Sequence, residues 1–155
     1  MSSLPPLIVP LIVPFTGIPW IASHPWLYPM LESFHIVGVA LLVGNLVLLE
    51  LRVWGQGREL SIMTLARLAL AVSAAGFCLL GATGLLMFAA APQELLGNRF
   101  FLIKMGLVSL AGLNALAFHL RQGLHKLDGL ARAQTALSLG LWLAVIICGR
   151  WIAYA

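Results

Sequence analysis

Apolar residues run along this chain in four long blocks, and the polar positions between them fall in short clusters. The blocks cover about Leu27–Val53, Met63–Ala91, Phe100–Gln122 and Ala131–Tyr154. A helix needs about 20 mostly apolar residues to cross a bilayer, and each block meets that length. The clusters are WGQGREL (54–60), APQELLGN (91–98) and GLHKLDG (123–129), broken by glycine and, in the second, by Pro92. Links this short force consecutive helices to run antiparallel. The pattern predicts an all-α integral membrane protein, an up-down-up-down four-helix bundle over 27–155. Each span then satisfies its own backbone hydrogen bonds, as lipid demands.

Residues 1–26, MSSLPPLIVPLIVPFTGIPWIASHPW, break the pattern, with prolines at 5, 6, 10, 14, 19 and 25. Proline fixes its own φ and lacks an N–H, so this density predicts an extended, Pro-rich apolar N-terminal tail. It has no basic start and no small-residue cleavage site, and so reads poorly as a signal peptide. An apolar extended tail needs a surface to lie on: its own bundle, the outer interface, or a partner protein.

Composition agrees with the pattern. Of 155 residues, 61 % are hydrophobic and 9 % charged, and the mean hydropathy is +1.01. A soluble domain carries about a quarter charged residues. The net charge of +4 is scattered at helix ends, which points to topology and not to nucleic acid. Arg52, Arg58, Arg67, Arg121, Lys126 and Arg132 flank the first and third links, against Arg99, Lys104 and Arg150 on the other side. Six against three predicts those two links in the cytoplasm. Both termini then face outward, into the periplasm if the membrane is a bacterial inner membrane.

Much of the remaining detail reads as packing. Gly76, Gly84, Gly106, Gly112, Gly140 and Gly149 recur at helical spacing, as close helix contacts in membranes favour. Cys78 and Cys148 read as buried small hydrophobes. Trp20, Trp26, Tyr28, Trp151 and Tyr154 fall near the outer boundary and Trp54 near the inner one, an interfacial aromatic belt.

The polar residues inside the spans are different, because each is expensive in lipid. In LESFHIVGVALLVGN (31–45), Glu32 and His35 interrupt an apolar run. The topology puts Glu32, His35, Lys104 and Arg150 at one outer depth, with His24 near them, and Glu50, Arg52, His119, Arg121 and Asn114 at the inner end. At about 100° per residue, Glu32, His35, Gly38, Leu42, Asn45 and Arg52 share half the first helix. Lys104, Asn114 and His119 share an arc of about 140° on the third.

A neutral imidazole at His35 is a ligand for haem iron or copper. Gly38, one turn on, leaves room for a flat macrocycle. Lys104 and Arg150 can pair with propionates or with Glu32, and Glu32 can orient the His35 ring. The alternative is a polar network that only fixes helix register. For His119, Asn114 and Arg52 a structural role weighs more heavily. Glu50 and Arg52 are expected to snorkel, and His24 and His125 to face water. His35 and His119 cannot clamp one haem within a subunit, because a rise of about 1.5 Å per residue separates them by roughly 20 Å in depth. A second iron ligand would be Lys104, His24, water or a group from another subunit.

FHIVGVALLVGNLVLLELR (34–52), ATGLL (82–86) and FFLIKMGLVSLAGLNALAFH (100–119) together resemble a family of bacterial four-helix membrane proteins of unassigned function, over nearly the whole chain after Trp26. More distantly, the order His35, Gly44, Leu51–Arg52, Thr83–Gly84, Lys104 and His119 resembles the haem-containing four-helix protoporphyrinogen IX oxidases. The copper-resistance D family has a similar first-helix His-and-Gly pattern. The oxidase resemblance implies a b-type haem on His35, with Lys104 important beside it. The Pro-rich tail and the WGQG turn depart from the oxidase pattern, so haem binding carries over more readily than porphyrinogen oxidation.

Three functions follow as expectations. One is a haem b redox protein moving electrons between a quinol or periplasmic donor and another centre. The second is an accessory subunit packing through its tail against a larger membrane complex or a second copy of itself. The third is copper handling by His35, His24 and Met30. A transporter is disfavoured, since no pair of broken helices marks a midplane site.

Overall fold

The computed structural model describes residues 17–154, and within them every regular element is a helix. In chain order these are α1 (Pro19–Ser23), α2 (Leu27–Val53), α3 (Ile62–Ala90), α4 (Pro92–Gly97), α5 (Arg99–Leu120), α6 (Gly123–Lys126) and α7 (Gly129–Trp151), followed by a 3₁₀ turn at Ile152–Tyr154. Helices α2, α3, α5 and α7 are long and apolar enough to cross a membrane. Their boundaries follow the hydrophobic blocks closely, and capping side chains set the starts. Ser61 accepts from the Thr64 N–H, Asn98 from Phe100 and Phe101, and Asp128 from Ala131. Each satisfies N–H groups that have no partner inside the helix.

Two helix pairs build the bundle. In the first, α2 packs on α3 through facing glycines. A Cβ on Gly76 would lie 2.8 Å from the Leu42 backbone nitrogen and 2.9 Å from the Gly38 oxygen. A Cβ on Gly38 would lie 2.9 Å from Leu80 Cγ. Backbones this close permit no side chain at the crossing. The Ser73 hydroxyl donates to the Leu42 carbonyl in the same seam.

In the second pair, α5 packs on α7. Asn98 Nδ2 donates to the Ile152 carbonyl at one end, and Asn114 Nδ2 to the Gln134 carbonyl towards the other. The pairs meet where the end of α2 touches the start of α7. There the Trp54 indole donates to Thr135 Oγ1 at 2.9 Å, and Val53, Phe118 and Ala131 form a buried cluster.

Large apolar residues cover the outside, among them Ile36, Leu85, Leu113 and Leu120. Lipid replaces water as their solvent, so exposure here is consistent with bilayer contact. Cys78 lies on this exposed surface and Cys148 is half-buried, so only Cys148 approaches the buried position expected of both. The glycines divide as well. Gly76 sits in a crossing, Gly84 faces His35 and Gly149 faces Lys104, whereas Gly106, Gly112 and Gly140 have open space where a Cβ would go. Close packing therefore accounts for only part of the glycine pattern.

The tail reading falls mostly on residues 1–16, outside the described residues. The described end is not wholly extended, since Pro19–Ser23 forms one helical turn. Proline at the first helical position is compatible with a helix because its missing N–H would have had no partner there. This end lies on its own bundle. The Ile18 N–H donates to the Ala89 carbonyl at 2.7 Å, and Ile21 is buried against Leu31 and Ala90. Gly17 takes φ +78° where a Cβ would meet Pro92 and the Ala89 oxygen.

Candidate functional site: an anchored imidazole between two spanning helices

His35 sits in the third turn of α2 and is half-buried against α3. Its Nδ1 lies 2.9 Å from Thr83 Oγ1. That hydroxyl lies 2.7 Å from the Leu79 carbonyl of its own helix. A carbonyl only accepts, so Thr83 spends its single proton on Leu79. The hydroxyl oxygen then accepts from His35 Nδ1–H. This fixes the tautomer and leaves the Nε2 lone pair as the free donor of the ring. Gly84 opens the space beside the imidazole: a Cβ there would stand 3.5 Å from His35 Cε1.

Lys104 comes from the second turn of α5. Its amine lies across Gly149 of α7, 3.3 Å from where a Cβ would stand, and its charge lies within electrostatic reach of His35. No hydrogen bond or ion pair to this amine occurs among the described residues. The structure thus brings His35, Thr83 and Lys104 into one region of the bundle.

The other outer residues are arranged differently. Glu32 is exposed, and the His35 ring nitrogen is held by Thr83 instead. Arg150 is exposed, donates to the Tyr154 hydroxyl at 2.7 Å and stacks over that ring. The space beside Gly38 is filled by Leu80 and the Gly76 backbone, so a macrocycle does not lie there. His24 is exposed with Trp20 at its edge, and Met30 is also exposed. No group of three His, Cys, Asp or Glu suited to a metal ion occurs among the described residues.

At the opposite end of the bundle the candidates have separate partners. His119 is exposed and its Nδ1 lies 3.1 Å from the Ala115 carbonyl. Asn114 bonds to Gln134, and Arg52 Nε donates to the Leu60 carbonyl. Arg121 bridges Asp128 at 2.9 Å and the Gln134 side chain at 2.8 Å. Asp128, just outside the span, is held below the usual carboxylate range, first by the Ala131 N–H and then by Arg121. A cavity of about 150 Å³ is lined by Phe118, His119, Gln122, Gly123, Leu124 and His125.

Two functional candidates had weak signals in the sequence. Thr83 stood out only as part of a Thr-Gly pair. Glu50, expected to snorkel, is buried at 4 % exposure. No family model, no curated protein and no solved structure matches this chain.

Proposed function

We propose that this chain is a membrane-embedded, b-type haem-binding electron-transfer protein in which His35 would hold the iron through Nε2. The observation that supports this reading most is the Leu79–Thr83–His35 relay. A ligating histidine is commonly held through its other ring nitrogen, which sets tautomer and orientation and raises ligand basicity. Thr83 does this from a different helix. Lys104, with no hydrogen-bond or ion-pair partner among the described residues, would supply a cation for an anionic propionate. The residues His35 and Lys104 fit the group in donor chemistry. When bound, the haem supplies one-electron chemistry; the chain's part is to hold the imidazole and to keep water from it.

The proposed setting is an up-down-up-down bundle in a bacterial inner membrane. The antiparallel contacts His35–Thr83 and Asn98–Ile152 support that topology, and the arginine distribution supports cytoplasmic first and third links. Both termini are then periplasmic, and His35 lies in the outer half of the bilayer.

Haem titration of the purified protein tests the reading. Wild type is expected to bind haem at one per chain or per pair of chains, and His35→Ala to lose it. Equal binding by both proteins would count against His35 as the ligand.

A further inference from the structure

Glu50 belongs to the last turn of α2, fifteen residues past His35, or about 22 Å along the helix. Glu50 is 4 % exposed, and its Oε2 has no hydrogen-bond partner among the described residues. Ser138 of α7 is the hydroxyl beside the carboxyl. Below it, the Trp54–Thr135 hydrogen bond and the Val53, Phe118 and Ala131 cluster close the end of the bundle.

The cations at this end are engaged or turned outward. On its own helix and link, Arg52 donates to the Leu60 and Arg58 carbonyls, and Arg58 to Gly55. Arg67 of α3 and Arg132 of α7 are exposed. Arg121, after α5, is held by Asp128 and Gln134, and His119 of α5 is exposed. The one ion pair among the described residues is Arg121–Asp128.

A buried carboxylate with neither cation nor full hydrogen bonding is among the costliest groups a bundle can hold. Something must neutralise it. A divalent cation wants several protein ligands, and the described residues gather no group of three His, Cys, Asp or Glu that could hold one. A proton needs no further ligand. We propose that Glu50 is a proton-binding site in the half of the bundle opposite His35, loaded as a neutral carboxylic acid. It exchanges that proton with water on the face carrying the first and third links. The step is simple addition of a proton to the carboxylate, with nothing else consumed.

Infrared spectroscopy and carbodiimide labelling test this on the full chain in lipid nanodiscs. The expected result is a protonated-acid carbonyl band at neutral pH that Glu50→Gln removes. N,N′-dicyclohexylcarbodiimide, which reacts with protonated carboxyls in apolar surroundings, is expected to label Glu50. Labelling should fall about tenfold per pH unit above the carboxyl's midpoint. Peptide mapping of the labelled wild type reads the site even if Glu50→Gln fails to fold. An ionised Glu50 at neutral pH, unlabelled or accompanied by a stoichiometric metal in elemental analysis, would overturn the proposal.

Discussion

His35 Nδ1 lies 2.9 Å from Thr83 Oγ1 although the two residues are 48 positions apart. The contact joins α2 to α3 and orients an imidazole within a helix long and apolar enough to cross a membrane. Because the Thr83 proton goes to Leu79, the contact also decides which ring nitrogen is free. Thr83→Val keeps the shape and removes the acceptor, leaving a half-buried N–H unpaired. That substitution is expected to cost about 1–2 kcal/mol and to weaken haem binding roughly 10–100-fold. Thr83→Ser should restore both. Thermal unfolding in detergent and haem titration are the measurements, and a Thr83→Val protein unchanged in both would remove the role given to Thr83.

Gly76 of α3 and Gly112 of α5 should respond in opposite ways. Gly76→Ala forces a Cβ to within 2.8 Å of the Leu42 backbone nitrogen, and backbone cannot turn aside as a side-chain tip can. Overpacking of this kind is expected to destabilise by about 1–3 kcal/mol. Gly112→Ala meets open space and should gain about 0.5–1 kcal/mol from helix propensity. Denaturation midpoints of the two variants, compared in one detergent, give the sign of each.

Gly17 carries a separate prediction. Its φ of +78° and its contacts with Pro92 and the Ala89 oxygen both exclude a side chain. Gly17→Ala is expected to undock α1 while leaving α2–α7 folded. Hydrogen exchange at the Ile18 amide, which donates to Ala89, should then rise by at least an order of magnitude with little change at Leu42.

Asp128 predicts a pH dependence. Its carboxyl is held below the usual carboxylate range by the Ala131 N–H and Arg121. A group depressed in the folded state stabilises it above the unfolded value of 3.8. That contribution fades as pH falls through the folded midpoint. Stability of the α5–α7 end should therefore drop on acidification through that range. Asp128→Asn, which keeps a capping oxygen and loses the charge, should flatten the acid limb. A limb of unchanged steepness would show that other groups set it.

The four spans were legible because length and apolarity alone decide them, and the links because glycine and proline interrupt the blocks. The start of α7 was read at Ala131, whereas Asp128 caps a helix beginning at Gly129. The Asp-Gly pair carried that signal. The site was legible in part. A histidine in an apolar run marks itself, but the hydroxyl that holds it lies on another helix, and nothing local reveals a long-range pairing.

Glu50 is the instructive miss. Glu32 and Glu50 are separated by about five turns at 3.6 residues each, so they share one face of α2. At Glu32 that face is exposed, whereas at Glu50 α7 covers it with Ser138. Helical periodicity puts both carboxyls on that face. Only the packing of α7 decided which carboxyl it buried.

The central claim, that His35 holds a haem, is tested most directly by one optical spectrum of the protein purified from its membrane, oxidised and then reduced with dithionite. The account predicts a Soret band with reduced-state α and β bands of a b-type haem, lost in His35→Ala. A folded protein isolated from haem-replete cells with neither Soret absorption nor iron would contradict it.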